Sequence, residues 1–76
     1  MRDSKIVRNP VLTLPCTRQA LDLSAESKAF LRALLRELSR EAGTRAEMSW
    51  KKGKAPIAAY WKAVAVYARH AAILLK

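Results

Sequence analysis

Cysteine and histidine each occur once in the 76 residues, as Cys16 and His70. An intramolecular disulfide is therefore excluded, and no second Cys or His stands near either residue at the spacing of a zinc site. A catalytic inventory is lacking as well, because His70 has no carboxylate three or four positions away and Cys16 follows Pro15 directly. We therefore expect a protein without enzymatic activity, without a metal and without a cofactor.

Acidic residues are scarce, with six Asp and Glu against fifteen Lys and Arg and a formal net charge of +9. So much positive charge on a short chain creates a field that attracts phosphates, anionic lipids or acidic protein surfaces. The alternative is that the charge serves only solubility. A balanced set of charges would keep the protein soluble equally well, so the excess favours a binding role.

Long uninterrupted hydrophobic segments are missing too. The longest apolar run, residues 56–75, contains Lys62 and Arg69, and each central charge costs about 2.5–3.5 kcal/mol on insertion scales. This run therefore disfavours a transmembrane helix. The apolar stretch near the N-terminus is broken by Pro10 and Pro15 and does not fit a secretory signal. With one unpaired cysteine, these features predict a cytoplasmic protein.

The first long helix is predicted over residues 25–50. Ser24 is a good N-cap, and Glu26 in the first turn favours the positive end of the helix dipole. Apolar residues recur at spacings of three and four and predict one apolar stripe: Phe30, Leu31, Leu34, Leu35, Leu38 and Ala42. Gly43 either ends this helix or lies inside it. Ala46 continues the small-residue face, so we expect the helix to continue.

A second helix is predicted over residues 56–75, after a linker in which Gly53 takes the position that follows a helix C-terminus. Pro56 suits the first helical position, where its missing N–H costs nothing. The apolar face of this helix is broad and consists of Ile57, Tyr60, Trp61, Val64, Tyr67, Ala68, Ala71, Leu74 and Leu75. Such a helix must be buried on more than one side, by the N-terminal segment or by a second subunit.

The N-terminal segment, residues 1–23, is predicted to be an extended or irregular arm that packs across the helices. Its β-branched residues favour strand, whereas Pro10 and Pro15 oppose helix and confine any strand to a sheet edge. A single helical turn over residues 18–21, capped by Thr17, is compatible with the pattern.

Together these elements predict an all-α single domain. It consists of a helical hairpin of two long antiparallel helices in residues 24–76, preceded by the arm in residues 1–23. A chain this short rarely completes a core by itself, so we expect oligomerisation, most simply a homodimer. The predicted dimer core consists of Leu31, Leu35, Leu38, Val64, Tyr67 and Ala71.

Two basic clusters are candidates for contact with an anion. The first consists of Lys28, Arg32, Arg36 and Arg40, four residues apart on one helix and about 18 Å long at 1.5 Å per residue. That length meets several phosphates of a nucleic-acid backbone. The alternative is that these side chains form only a solvated helix face.

The second cluster is formed by the linker lysines, which are Lys51, Lys52 and Lys54. They precede a helix start, where free N–H groups attract anions, and Lys62 follows. Trp50, Tyr60 and Trp61 flank them and are candidates for stacking on bases. The alternative is that both tryptophans clamp the corner of the hairpin. The spacing of a phosphate-binding P-loop is absent.

Residues 38–46 resemble the first helix and turn of a helix-turn-helix motif, with Gly43 at the turn. The resemblance covers nine residues. It fails beyond them, because Ser49 and Lys52 stand where the recognition helix requires apolar residues.

The favoured function is a small basic binding or regulatory protein that engages nucleic acid or another phosphate-bearing ligand. The alternative is an inhibitor or adaptor, of the kind that phages and mobile elements encode, that binds an acidic surface of a host protein. Binding to a membrane surface through the second helix is disfavoured, because that helix carries few cations. The sequence does not distinguish DNA from RNA.

Overall fold

The computed structural model describes residues 9–75, and 84% of the described chain is helical. It consists of a 3₁₀ turn (Pro10–Thr13), a short helix α1 (Thr17–Leu21) and two long helices, α2 (Ala25–Lys51) and α3 (Ala55–Leu74). No strand occurs in this part of the chain. The two long helices pack against each other, which confirms the predicted all-α helical hairpin.

Helix α2 begins where the sequence predicts. The Oγ of Ser24 accepts a hydrogen bond from the backbone N–H of Ser27 at 3.1 Å, which is a standard N-cap contact. The helix then continues through Gly43 to Lys51, as expected. A helix-turn-helix motif needs a turn at Gly43, so the continuity of α2 through this residue rules out the motif.

The hairpin turn is short and locally determined. Gly53 adopts a φ of 75°, in the left-handed region that favours glycine. The N–H groups of Gly53 and Lys54 donate to the carbonyl oxygens of Trp50 and Ser49, at 3.0 and 2.9 Å, and thereby satisfy the end of α2. Pro56 lies in the first turn of α3, which begins one residue earlier than predicted.

Three contacts define how the long helices pair. The Oγ of Ser39 donates to the carbonyl oxygen of Ala65 at 2.8 Å, near the middle of the hairpin. The guanidinium of Arg32 donates to the Leu75 carbonyl at the open end, and that of Arg45 lies 5.1 Å from the centre of the Trp61 ring. In each pair the two residue numbers add to about the same value, so the helices are antiparallel and in constant register.

The prediction of an extended arm is wrong at Pro10–Thr13. These residues contain a 3₁₀ turn instead of extended chain, because Pro10 occupies the first position of the turn, where no N–H is needed. The side chain of Asn9 caps it by accepting from Val11 N–H at 3.0 Å and also donates to the carbonyl of His70 at 2.7 Å. The turn therefore packs on α3, while residues 1–8 lie outside the described part of the chain.

The short helix α1 confirms the predicted helical turn, with a different role for one residue. Thr17 is the first helical residue instead of the cap, and Cys16 precedes it. The buried hydroxyl of Thr17 donates to the carbonyl of Val11 and so joins α1 to the 3₁₀ turn.

The core is small and is built mainly from alanine. Its buried residues are Ala42, Ala58, Ala68, Ala72 and Leu75. Among residues 9–75 no large side chain is fully buried, and the shortest principal dimension of the molecule is only 16 Å. The molecule is therefore a single layer of helices with two open faces.

The apolar residues that the sequence assigns to one stripe of α2 do not all face α3. Some pack against α3, and others face solvent. Leu31 and Leu35 are half-buried, whereas Phe30, Leu34 and Leu38 are 68%, 51% and 41% exposed. The stripe is wider than the surface that α3 covers. Alanines at the contact let the two helices approach closely, and half of the leucines are left outside.

Candidate nucleic-acid interface

A shallow groove of about 1270 Å³ runs along one face of the hairpin, between α2 and α3. Gly43 and Ala46 from α2 and Ala55, Ala58, Ala59 and Ala65 from α3 supply small residues to its lining. Larger side chains also line it, namely Glu47, Trp50, Lys62, Val66, Tyr67, Arg69 and His70, with Pro10 of the 3₁₀ turn. We call this surface the basic groove.

Cations from both helices belong to this face. Lys62 and Arg69 line the basic groove directly. Arg36 precedes Gly43 by seven residues, and Arg40 precedes Glu47 by the same interval. Residues seven apart lie on the same face of a helix, after two turns, so both arginines project on the side of the groove.

The register of the hairpin brings these cations to the same level. Since Ser39 pairs with Ala65 and Arg32 with Leu75, Arg36 lies opposite Arg69, about one interhelical distance of 8–10 Å away in Cα position. Arg40 and Lys62 lie within about two turns of this pair along the helix axes. All four side chains are exposed. We call Arg36, Arg40, Lys62 and Arg69 the basic cluster.

Sequence reasoning missed Arg69. Arg69 follows Lys62 by seven residues, a spacing that is expected for the solvated polar side of an otherwise apolar helix. Its significance depends on Arg36 facing it from the other helix, which only the register of the hairpin reveals.

Arg32 and Lys28, two of the predicted anion contacts, have a different environment from the rest. Both are half-buried, and Arg32 donates a hydrogen bond at 2.9 Å to the carbonyl of Leu75, the C-cap of α3. A cation at this position satisfies a terminal carbonyl and meets the negative end of the helix dipole. The guanidinium of Arg32 therefore holds the hairpin closed.

Lys51, the first of the linker lysines, extends the basic cluster along α2. Because α2 is continuous, Arg40 and Lys51 lie about 16 Å apart on one axis and on nearly the same side of the helix. Lys51, Lys52 and Lys54 are all exposed. Glu47 lies between Arg40 and Lys51 and is the one acidic residue among those lining the groove.

The predicted aromatic contacts separate into two groups. Trp50 lines the basic groove and is 67% exposed, and Tyr67, which sequence reasoning assigned to the dimer core, lines it as well. Tyr60 and Trp61 pack edge to face, with ring centres 5.2 Å apart. Neither lines the groove, so Trp50 and Tyr67 are the aromatic residues of the groove lining.

Trp61 makes a cation–π contact with Arg45 on the face of the hairpin opposite the basic groove. The Arg45 guanidinium covers its ring and also pairs with Glu41, with Nε and Oε2 2.9 Å apart. This is the one ion pair formed between two residues of the described range 9–75. Arg45 follows Gly43 by two positions, about 200° around the helix, and so projects away from the basic groove.

Among residues 9–75 the structure brings together no group of three or more His, Cys, Asp or Glu side chains around a common point. No helix in that range combines the length and apolar character needed to cross a membrane. The cysteine thiol of Cys16 lies at the surface.

No protein-family model matches the chain, and neither a curated protein nor a solved structure is significantly similar to it.

Proposed function

We propose that this protein is a non-enzymatic nucleic-acid-binding protein that holds the phosphate backbone along the basic groove. The arrangement that carries the proposal follows from the register of the hairpin, which sets Arg36 level with Arg69. Arg69 and Lys62 line the groove, and Arg40 lies one helical turn from Arg36. In this arrangement the guanidinium groups of Arg36 on α2 and Arg69 on α3 contact phosphates from the two sides of the groove. Arginine is suited to this role because its planar fork binds two phosphate oxygens at once.

The shape and lining of the groove support the same function. Its small residues leave the long cationic side chains free to reach a backbone that lies over the helices. A step of four residues places Arg36 and Arg40 about 6 Å apart, and Lys51 follows about 16 Å beyond Arg40 along the same helix. Trp50 and Tyr67 lie in the same groove and offer ring faces for unpaired bases.

The test compares two single substitutions that remove the same charge. Labelled single-stranded and duplex DNA and RNA are titrated with the wild type, with Arg69→Gln and with Arg18→Gln at several salt concentrations. Glutamine preserves helix propensity. Arg18 is an exposed arginine of α1 that does not line the groove.

We expect wild-type binding to weaken steeply with salt. Loss of the Arg69 contact lowers the slope of log K against log salt by about 0.9 on B-DNA or about 0.7 on a single strand. Arg18→Gln leaves the slope unchanged. Absence of binding to all four nucleic acids at low salt overturns the proposal, and equal effects of the two substitutions show that the groove is not the contact surface.

A second candidate function is an adaptor or inhibitor that accepts an acidic helix of a host protein. The small residues of the groove favour it, because Gly43 and the alanines allow another helix to approach closely. Its rim cations would then pair with carboxylates. Capture from lysate with and without nuclease separates the two functions, since a protein partner stays bound after nuclease treatment and nucleic acid does not.

A further inference from the structure

The face opposite the basic groove carries an unusual amount of exposed apolar surface. It contains the exposed Leu34, Leu38 and Met48 from α2 and Ile57 from α3, with the half-buried Val64 and Ala71 beside Ile57 on α3, and we call these residues the apolar face. Arg45, which covers Trp61 on this side of the hairpin, identifies the direction in which these residues project. Leu38 precedes Arg45 by seven residues, and Val64 follows Trp61 by three.

We infer that the apolar face binds a second copy of this chain and forms a homodimer. The first argument is the composition of the core. Within residues 9–75 the buried residues are mostly alanine, and no large side chain is completely removed from solvent, since even Leu75 is 5% exposed. A folded chain of this size gains most of its stability from apolar burial, and the hairpin leaves its largest apolar side chains partly outside. A second copy of the chain buries these exposed apolar side chains.

The area of the face matches what a dimer needs. If each side chain is given at most the area of an aromatic one, about 200 Å², the exposed portions of Leu34, Leu38, Met48 and Ile57 amount to at most roughly 400 Å². The neighbouring Phe30 and Tyr60 bring the total to roughly 600 Å². A standard interface buries about 800 Å² per partner, about 65% of it apolar in homodimers. The apolar face together with Phe30 and Tyr60 therefore provides about the apolar area of one such half-interface.

The spacing of the face identifies a helical partner with the same pattern. Leu34 and Met48 lie fourteen residues apart, and Ile57, Val64 and Ala71 recur every seven residues. A seven-residue repeat keeps a seam on one side of two helices that pack side by side. Two hairpins that join these seams form a four-helix bundle, and each copy presents the repeat that the other requires.

The charges permit self-association despite the net charge of +9. The α2 side of the apolar face carries Glu41 and Arg45, which are already paired with each other, and Lys52 lies at the end of this side, seven residues after Arg45. Such a pair is self-complementary about a two-fold axis. The basic cluster lies on the other side of the helical layer, so two copies joined by their apolar faces keep these cations apart by more than the Debye length of about 8 Å.

This interface differs from the dimer core that the sequence predicts. Leu38, Val64 and Ala71 are common to both. Leu31 and Leu35 are half-buried in the hairpin, and Tyr67 lines the basic groove. In the interface inferred from the structure, Leu34, Met48 and Ile57 replace Leu31, Leu35 and Tyr67.

Sedimentation equilibrium without nucleic acid tests the inference, so its outcome is independent of the proposed function. We expect a dimer for the wild type at tens of micromolar. Leu34→Glu combined with Met48→Glu gives a monomer, because two carboxylates would be buried in each half of the interface. The matched control is Leu21→Glu in α1, where the leucine is 47% exposed and belongs to neither long helix. This control stays dimeric.

A second measurement covers the case in which the double variant does not fold. In a Cys16→Ser background, single cysteines are introduced as Met48→Cys on the apolar face and Lys62→Cys in the groove. We expect maleimide to label the first about tenfold more slowly at high protein concentration than after dilution, and the second at the same rate in both. A monomeric wild type, or a cysteine at position 48 that reacts equally fast at both concentrations, overturns the inference.

Discussion

The guanidinium of Arg32 donates a hydrogen bond at 2.9 Å to the carbonyl oxygen of Leu75, 43 positions further along the chain. The bond joins the early part of α2 to the C-cap of α3, at the end of the hairpin where no loop connects the two helices. It satisfies a terminal carbonyl and places a positive charge at the negative end of a helix dipole.

Arg32→Gln should therefore lower the free energy of unfolding by about 1–2 kcal/mol, because it removes a hydrogen bond from a charged donor in a half-buried position. Arg36→Gln, one helical turn away and exposed, should change it by less than about 0.5 kcal/mol. Urea unfolding followed by circular dichroism measures both. Equal values for the two variants would show that the Arg32 contact contributes nothing to stability.

The two glycines should respond to alanine in opposite directions. A Cβ at Gly43 meets nothing within 4 Å, and the residue lies inside α2, so Gly43→Ala should stabilise the protein by about 0.5–1 kcal/mol. Gly53 has a φ of 75°, so Gly53→Ala should destabilise it by about 1 kcal/mol. The thermal midpoint should thus rise in the first variant and fall in the second. A fall in both would mean that α2 needs flexibility at Gly43.

The ends of the long helices were predictable because their signals are local. Ser24 caps α2 through its own side chain, and Gly53 reverses the chain through its own φ. The 3₁₀ turn is not evident from the sequence, because proline opposes the interior of a helix and so favours an extended segment. Pro10 instead stands at a first helical position, and the cap of Asn9 provides the stabilising contact.

The site was only partly predictable, because it depends on tertiary register. The spacing of Arg36 and Arg40 shows that they share one side of α2. Nothing in that spacing indicates that Arg69 lies opposite, since this depends on the pairing of Ser39 with Ala65. The same holds for the wide apolar stripe of α2, whose division into inner and outer leucines depends on where α3 lies.

The linker lysines should contribute to nucleic-acid binding together with the basic cluster. Replacing Lys51, Lys52 and Lys54 by Gln should lower the salt slope by up to about 2.7 on B-DNA, if each lysine contacts one phosphate. The helical content should not change, because all three side chains are exposed. Titrations at several salt concentrations, with Arg18→Gln as the control, measure the effect. An unchanged slope would restrict the interface to the basic cluster.

Trp50 and Tyr60 form a matched pair for testing base stacking. Both are highly exposed aromatic residues, but only Trp50 lines the basic groove. Trp50→Ala should weaken binding to a single strand by about 1–3 kcal/mol, whereas Tyr60→Ala should leave it unchanged. Fluorescence anisotropy with a single-stranded oligonucleotide checks both values. A larger loss for Tyr60→Ala would assign the contact to the other face of the hairpin.

A single layer of helices has no interior that separates its two faces, and this has a consequence for an assembly of two copies. If the chains join through the apolar face, their basic grooves open in opposite directions, back to back. Such a dimer would be bivalent and could bridge two segments of nucleic acid. Once one groove is occupied, the second meets a nearby segment of the same molecule at high effective concentration. The dimer would then compact or loop a long strand, which neither chain does alone.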